Sequence, residues 1–241
     1  MKENIEKLQR MIDESKRIIF FGGAGVSTES GIPDFRSVDG LYSQHYRYPP
    51  EVMLSHSFYE THTAAFFDFY RAKMLYLDAK PNAAHQKLAA LEQAGKLTAI
   101  ITQNIDGLHQ SAGSKAVFEL HGSVHRNYCQ RCHQLYDAEY MLKSEGVPKC
   151  SCGGTIKPDV VLYEEGLNQQ TLSGAVEAIE RADMLIIGGT SLAVYPAASL
   201  VDYYSGCKLV LINRSSTPKD KRADLLINGS IGEVLGQISI K

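Results

Sequence analysis

Six short runs of continuous apolar residues punctuate the chain: RIIFFG (17–22), LTAIIT (97–102), AVFEL (116–120), DMLIIGG (183–189), KLVLIN (208–213) and ADLLIN (223–228). Their apolar residues follow one another instead of alternating with polar ones. Each run therefore predicts a strand covered on both faces, as in a parallel sheet. Helix-period patterns lie between several of them, at 3–15, 83–94, 168–181 and 196–204. Strands alternating with helices imply a doubly wound α/β sheet with right-handed crossovers, a Rossmann-like arrangement.

Two stretches break the alternation. Residues 37–80 contain the aromatic-rich SFYETHTAAFFDFYRAKMLYL, which predicts inserted helices, and residues 126–155 are polar and bear cysteines, which predicts a zinc ribbon. The expected division is a nucleotide-binding domain made of 1–36, 81–125 and 156–241. A smaller module would be built from the insertions 37–80 and 126–155.

The 25 basic and 27 acidic residues nearly balance, which argues against a general nucleic-acid or membrane-surface binder. The opening MKENIEKLQRMIDESKR lacks the apolar centre of a secretory signal, and no stretch approaches the ~18 uninterrupted apolar residues of a membrane span. A cytoplasmic location, with neither membrane nor nucleic acid as partner, is expected.

Loops at the ends of the predicted strands carry the polar chemistry. GGAGVSTESGIPDFRS (22–37) follows the first strand; its glycines permit a sharp turn and close approach to a phosphate. It lacks the third glycine of G-x-G-x-x-G, and no Gly-Lys-Ser/Thr of a Walker loop follows. GGTSLAVYP (188–196) offers Thr190 and Ser191 to ribose or phosphate, and Asn213 ends the strand KLVLIN. TQNIDGLHQ (102–110) places Gln103, Asn104 and Asp106 in a tight turn at the same sheet edge. Polar strand ends at one edge are where doubly wound folds bind their ligands, and a dinucleotide is expected there.

Cys129, Cys132, Cys150 and Cys152 form C-x2-C followed by C-x1-C, four soft thiolates suited to one tetrahedral zinc ion. Four cysteines close the coordination sphere, so the site is structural, and His133 is a surface residue. For the same reason His121, eight residues before Cys129, is not a ligand; a catalytic base or a packed strand-end histidine remain.

In order along the chain, GAGVSTESGIPDFRS, TQNIDGLH, ELHGS, the four cysteines, PDVVLYEE and GGTSLAVYP closely resemble the sirtuins, NAD-dependent protein lysine deacylases. The resemblance spans about 16–235 and looks bacterial. It implies NAD as co-substrate, a structural zinc and acyl-lysine proteins or peptides as substrates. By the same resemblance His121 is the general base acting on the nicotinamide ribose. Asn104 orients that ribose and a water, while Asp106 and Ile105 contact the nicotinamide amide. Ala24, Thr28, Phe35, Arg36, Gln103, Thr190, Ser191, Asn213 and Ile231 match NAD-contacting positions. Val161 matches the backbone position that holds the acyl-lysine amide. Peptide is expected between 158–166 and 191–196, two extended segments it could pair with. Where the family reads F-G-E, this chain reads Tyr163-Glu164-Glu165.

Sirtuins that prefer succinyl- or malonyl-lysine carry a Y-x-x-R pair, matched here by Tyr70 and Lys73. Lysine lacks the planar fork that grips a carboxylate bidentately, so neutral acyl groups are expected to win. A nicotinamide-dependent oxidoreductase is the competing enzyme class, but it would want the missing glycine and an acidic residue ~20 positions later. A zinc-ribbon nucleic-acid module would want a basic surplus. ADP-ribosyl transfer to protein is the nearer alternative.

Overall fold

The computed structural model describes residues 2–35, 40–43 and 48–240. In chain order the strands are β1 (Ile18–Gly22), β2 (Leu97–Thr102), β3 (Val117–Glu119), β4 (Gly122–Cys129), β5 (Leu135–Tyr136), β6 (Ile156–Val160), β7 (Met184–Gly188), β8 (Leu209–Asn213) and β9 (Leu225–Asn228). The helices are α1 (Lys2–Glu14), α2 (Pro50–Met53), α3 (His56–Thr61), α4 (Thr63–Lys73), α5 (Ala83–Gln93), α6 (Leu108–Ser111), α7 (Ala138–Lys143), α8 (Gln169–Glu180) and α9 (Ile231–Gly236).

All six apolar runs enter one parallel sheet of order β3-β2-β1-β7-β8-β9. This is the doubly wound order, with its switch point between β1 and β7. Five of the six strands feed two cores, while β9 buries Leu225 and Ile227 on one face and leaves Leu226 exposed. Ile18, Phe20, Ile100, Ile186, Val210 and Ile227 face α1, α5 and α9, while Ile19, Phe21, Ile101, Ile187 and Leu211 face α8 and the segment Ala197–Tyr203. That two-sided burial is why the strands read as unbroken apolar runs.

The pattern at 196–204 winds as a 3-10 helix, Ala197–Tyr203, rather than an α-helix. Its first turn closes on Pro196, whose carbonyl accepts both the N–H and the hydroxyl of Ser199. Three short helices, α6, α7 and α9, lie outside the expected patterns; at four to six residues they are too brief to show a period.

The second sheet, β5-β4-β6, is antiparallel and pairs Gly122 with Val160 at one end and Cys129 with Ile156 at the other. Its strands therefore run past both ends of the expected 126–155 ribbon. Helices α3 and α4 supply Phe58, Tyr59, Phe66, Phe67 and Tyr70 to the core that covers this sheet, so the two insertions share one interior.

Candidate active site and zinc centre

The ends of β1 and β7 lie side by side, and each continues into a glycine turn. After β1 the chain makes two 3-10 turns, Ala24–Val26 and Thr28–Ser30. The Gly25 N–H donates to the Gly189 carbonyl at 2.8 Å. A Cβ on Gly25 would lie 2.8 Å from the Gly189 Cα, and one on Gly189, at φ +59°, would lie 2.4 Å from the Val26 nitrogen. The two turns are backbone against backbone. Neither position admits a side chain, and the bare, close-packed backbone forms a cradle that a pyrophosphate can approach closely.

Above the cradle opens a cleft of about 930 Å³. Ala24, Thr28, Phe35, Gln103, Asn104, Ile105, Asp106, His121, Val161, Thr190, Ser191, Asn213 and Ile231 all line it. Arg36 lies outside the described residues. The cleft is thus bounded by the ends of β1, β2, β7 and β8, by the β3–β4 junction and by the segment after β6.

A hydrogen-bond chain sets the polar groups. The Ser27 hydroxyl donates to Asp106 Oδ2 at 2.6 Å and accepts from Asn104 Nδ2 at 3.0 Å. The Leu108 N–H holds Asp106 Oδ1 at 2.9 Å. Gln103 Nε2 donates to Thr190 Oγ1, and Asn213 Nδ2 to the Thr190 carbonyl, at 3.0 and 3.1 Å. Ser27 joins two groups that lie 77 and 79 residues further along the chain, a role that its place in the glycine loop did not announce. His125 also lines the cleft and donates from Nε2 to the Asp106 carbonyl at 2.9 Å.

His121 sits at the junction of the two sheets. A carbonyl can only accept, so the 2.9 Å contact with the Gln103 carbonyl fixes the proton on Nδ1 and leaves Nε2 with its lone pair. Burial pushes its pKa below the ordinary histidine value, with the Gln103 bond pulling the other way, so the ring is neutral at pH 7. The next residue must be glycine: Gly122 has φ +76°, and a Cβ there would lie 1.9 Å from the Asp159 carbonyl oxygen. The His121 carbonyl in turn accepts the Val161 N–H at 3.0 Å. The base position and the segment expected to hold peptide share one hydrogen bond.

One expected pairing is corrected. Lys73 lines the cleft, but Tyr70 does not. The Tyr70 ring is fully buried, stacked on Phe66 at 5.8 Å in the aromatic core of α4. Residues three apart are neighbours on a helix surface, but this helix buries Phe66, Phe67, Phe69 and Tyr70 together, so the Tyr70 position is taken up by the aromatic core. A two-residue clamp for an acyl carboxylate is not formed.

The four cysteines converge. Their Sγ atoms lie within 4.8 Å of one another, with Cys129–Cys152 and Cys132–Cys150 each at 3.5 Å. Tetrahedral zinc with ~2.3 Å bonds places sulfurs roughly 3.8 Å apart, so the set fits one zinc ion and is too wide for disulfides. The Arg131 and Cys152 N–H groups point at Cys129 and Cys150 sulfurs, as support for thiolate ligands. His133 is exposed at φ +60°.

A switch-point cleft of dinucleotide size with a neutral imidazole beside it places the molecule among doubly wound enzymes that act on a nucleotide ligand. The sequence narrows that class: the chain belongs to the Sir2 family, whose profile matches residues 23–196. A protein of Clostridium acetobutylicum named NAD-dependent protein deacetylase is 61% identical over 237 residues, 97% of each chain. A Sir2 variant solved with deacetylated p53 peptide and 3′-O-acetyl ADP-ribose superposes with a TM-score of 0.88 at 40% identity, covering 96% of this chain and 95% of that one. Sir2Tm bound to a propionylated peptide gives 0.85 at 39%, with the same coverage.

Proposed function

We propose that the chain is an NAD-dependent protein-lysine deacetylase that transfers the acyl group of an acyl-lysine to ADP-ribose and releases nicotinamide. The relative at 61% identity is named for that activity, and the solved neighbours hold acylated peptide or peptide with 3′-O-acetyl ADP-ribose. One observation carries the assignment of roles: the neutral His121 ring, tethered through Nδ1, lines the same cleft as the glycine cradle and the Val161 segment.

NAD supplies an ADP-ribosyl group with nicotinamide as its leaving group, and the acyl oxygen is captured by it. His121 Nε2 then removes a proton from a ribose hydroxyl, whose oxygen attacks the imidate carbon, a step that general-base catalysis accelerates roughly 10²–10⁴-fold. The C–N bond breaks and the lysine amine leaves; a water opens the resulting adduct, and the acyl group stays on the ribose as an ester. Asn104, braced by Ser27, orients the ribose, and Asp106 with Ile105 receives the nicotinamide amide. The Ala24–Thr28 turn and Phe35 enclose the dinucleotide from one side; Gln103, Thr190, Ser191, Asn213 and Ile231 enclose it from the other. Val161 holds the acyl-lysine amide, with peptide laid between 158–166 and 191–196. Zinc, held by Cys129, Cys132, Cys150 and Cys152, orders the small sheet and takes no part in the reaction. Among the described residues no helix is long and apolar enough to cross a membrane. Five unpaired cysteines favour the cytoplasm.

The test is incubation of an acetyl-lysine peptide with NAD, read by mass spectrometry. Loss of acetyl from the peptide with matching nicotinamide and O-acetyl-ADP-ribose is expected. Gain of ADP-ribose by the peptide, without acetyl loss, would overturn the reading.

A further inference from the structure

Two histidines have no part in the chemistry above. His85 and His109 are 0% and 1% exposed, with ring centroids 4.8 Å apart and planes tilted by 58°. His109 also packs on Phe20, at 6.2 Å. Three of their four ring nitrogens, His85 Nε2 and both of His109, have no hydrogen-bond partner among the described residues. The buried hydroxyl of Ser114, whose N–H donates to the His109 carbonyl, has none either. Apolar rings would fill this space without stranding any nitrogen, so packing alone does not account for two imidazoles. Buried polar clusters of this kind are the sites at which proteins hold internal water, which needs two to four polar partners.

The pair stands behind the catalytic loops and touches both. His85 Nδ1 accepts the Asn82 N–H at 3.2 Å, and the Asn82 amide donates to the Val26 carbonyl and the Ser30 hydroxyl at 2.8 and 3.0 Å. That grips the turn after β1. His109 lies three residues beyond Asp106, on α6, whose Leu108 N–H holds the Asp106 carboxylate. The two loops are thus joined twice, by Ser27–Asp106 on the cleft side and by the histidine pair behind it. Burial drives the pKa of His109 down to about 3 and that of His85 to about 4, so both rings are neutral hydrogen-bonding groups.

We propose that the unpaired ring nitrogens of His85 and His109 share one internal water at the edge of the ring pair and through it act as positioning residues for Asp106. The inference rests on the deacetylase reading. His109→Phe keeps the ring and removes its nitrogens, whereas His109→Asn keeps a polar group. At saturating peptide, His109→Phe is expected to raise KM for NAD about tenfold, with peptide KM unchanged within about twofold. His109→Asn should recover most of that loss. A His109→Phe enzyme with wild-type KM for NAD, or equal losses in both variants, would overturn the proposal. Should His109→Phe fail to fold, a high-resolution crystal structure of the wild-type chain decides. Density for a water bonded to the ring nitrogens supports the proposal, and a dry contact overturns it. Failure of the deacetylase reading would show separately, as absence of NAD-dependent acetyl loss in the wild-type enzyme, while the water is scored regardless.

Discussion

Strand β1 is buried at all five positions, whereas β5 has two residues, one of them exposed, and their sheets are held by different means. The parallel sheet buries aliphatic and aromatic side chains on both faces, and each such burial stabilises it by about 1.5–3 kcal/mol. The antiparallel sheet has one aromatic layer from α3 and α4 and, at its far end, four thiols. The larger unit can order itself by hydrophobic burial alone. The smaller one has the smaller core, and a zinc ion held by its four cysteines would add to its folding free energy.

The largest expected effect separates chemistry from both modes of stability. His121→Ala should lower kcat for deacetylation by about 10²–10⁴-fold while the melting temperature and zinc content stay put. Near-wild-type turnover would reassign the residue to packing. Next, Cys150→Ala or a strong chelator should split one melting transition into two. The small sheet would open first, followed by the parallel sheet near its usual temperature. Metal analysis that finds no zinc in the purified protein would remove the contrast altogether.

Acyl selectivity sharpens the comparison at the seam. With Tyr70 committed to the aromatic core, succinyl-lysine lacks the clamp for its carboxylate, so acetyl-lysine should be cleaved with about tenfold higher kcat/KM on one peptide. Faster desuccinylation would mean that Lys73 alone suffices.

Acid probes the two units differently. His121 has a lowered pKa, so the acid limb of activity should lie below pH 6.5, where its ring finally gains a proton. His85 and His109 titrate in the folded chain near 4 and 3 but near 6.5 when unfolded. Their contribution is intact above pH 6.5 and is lost progressively as pH falls toward those values. Melting temperature measured from pH 7.5 to 5 should fall, and His109→Asn should flatten the slope.

The smallest effect concerns Glu164, which occupies φ +76° where the family has glycine. Its carboxylate accepts both the N–H and the hydroxyl of Ser57. Glu164→Gly relieves the backbone and loses that tie, so the melting temperature should move by less than about 3 °C. A larger drop would show that the Ser57 tie dominates.

Legibility in the sequence followed the same division. Five of the six strands could be read because burial on both faces writes an unbroken apolar run, β9 because exposed Leu226 happens to continue one, and the zinc ligands because thiols at such spacing have few other uses. The Gly122–Val160 limits of the small sheet were hidden: IKPDV in β6 alternates buried and half-buried residues and carries a proline. The direction of Tyr70 was hidden because α4 is aromatic on more than one face and gives periodicity nothing to resolve. Ser27 and Asp106 are 79 residues apart, and no local pattern reports a contact made only by folding.

His121 and Gly122 form the seam between the two sheets, with Gly122 pressed against Asp159 and His121 tied to Gln103 on one side and Val161 on the other. Turnover therefore reports whether the two units are seated on each other, not whether either is folded. On heating, the enzyme should fall silent while circular dichroism is still native. The interval between the inactivation and melting temperatures would measure how firmly that joint is closed.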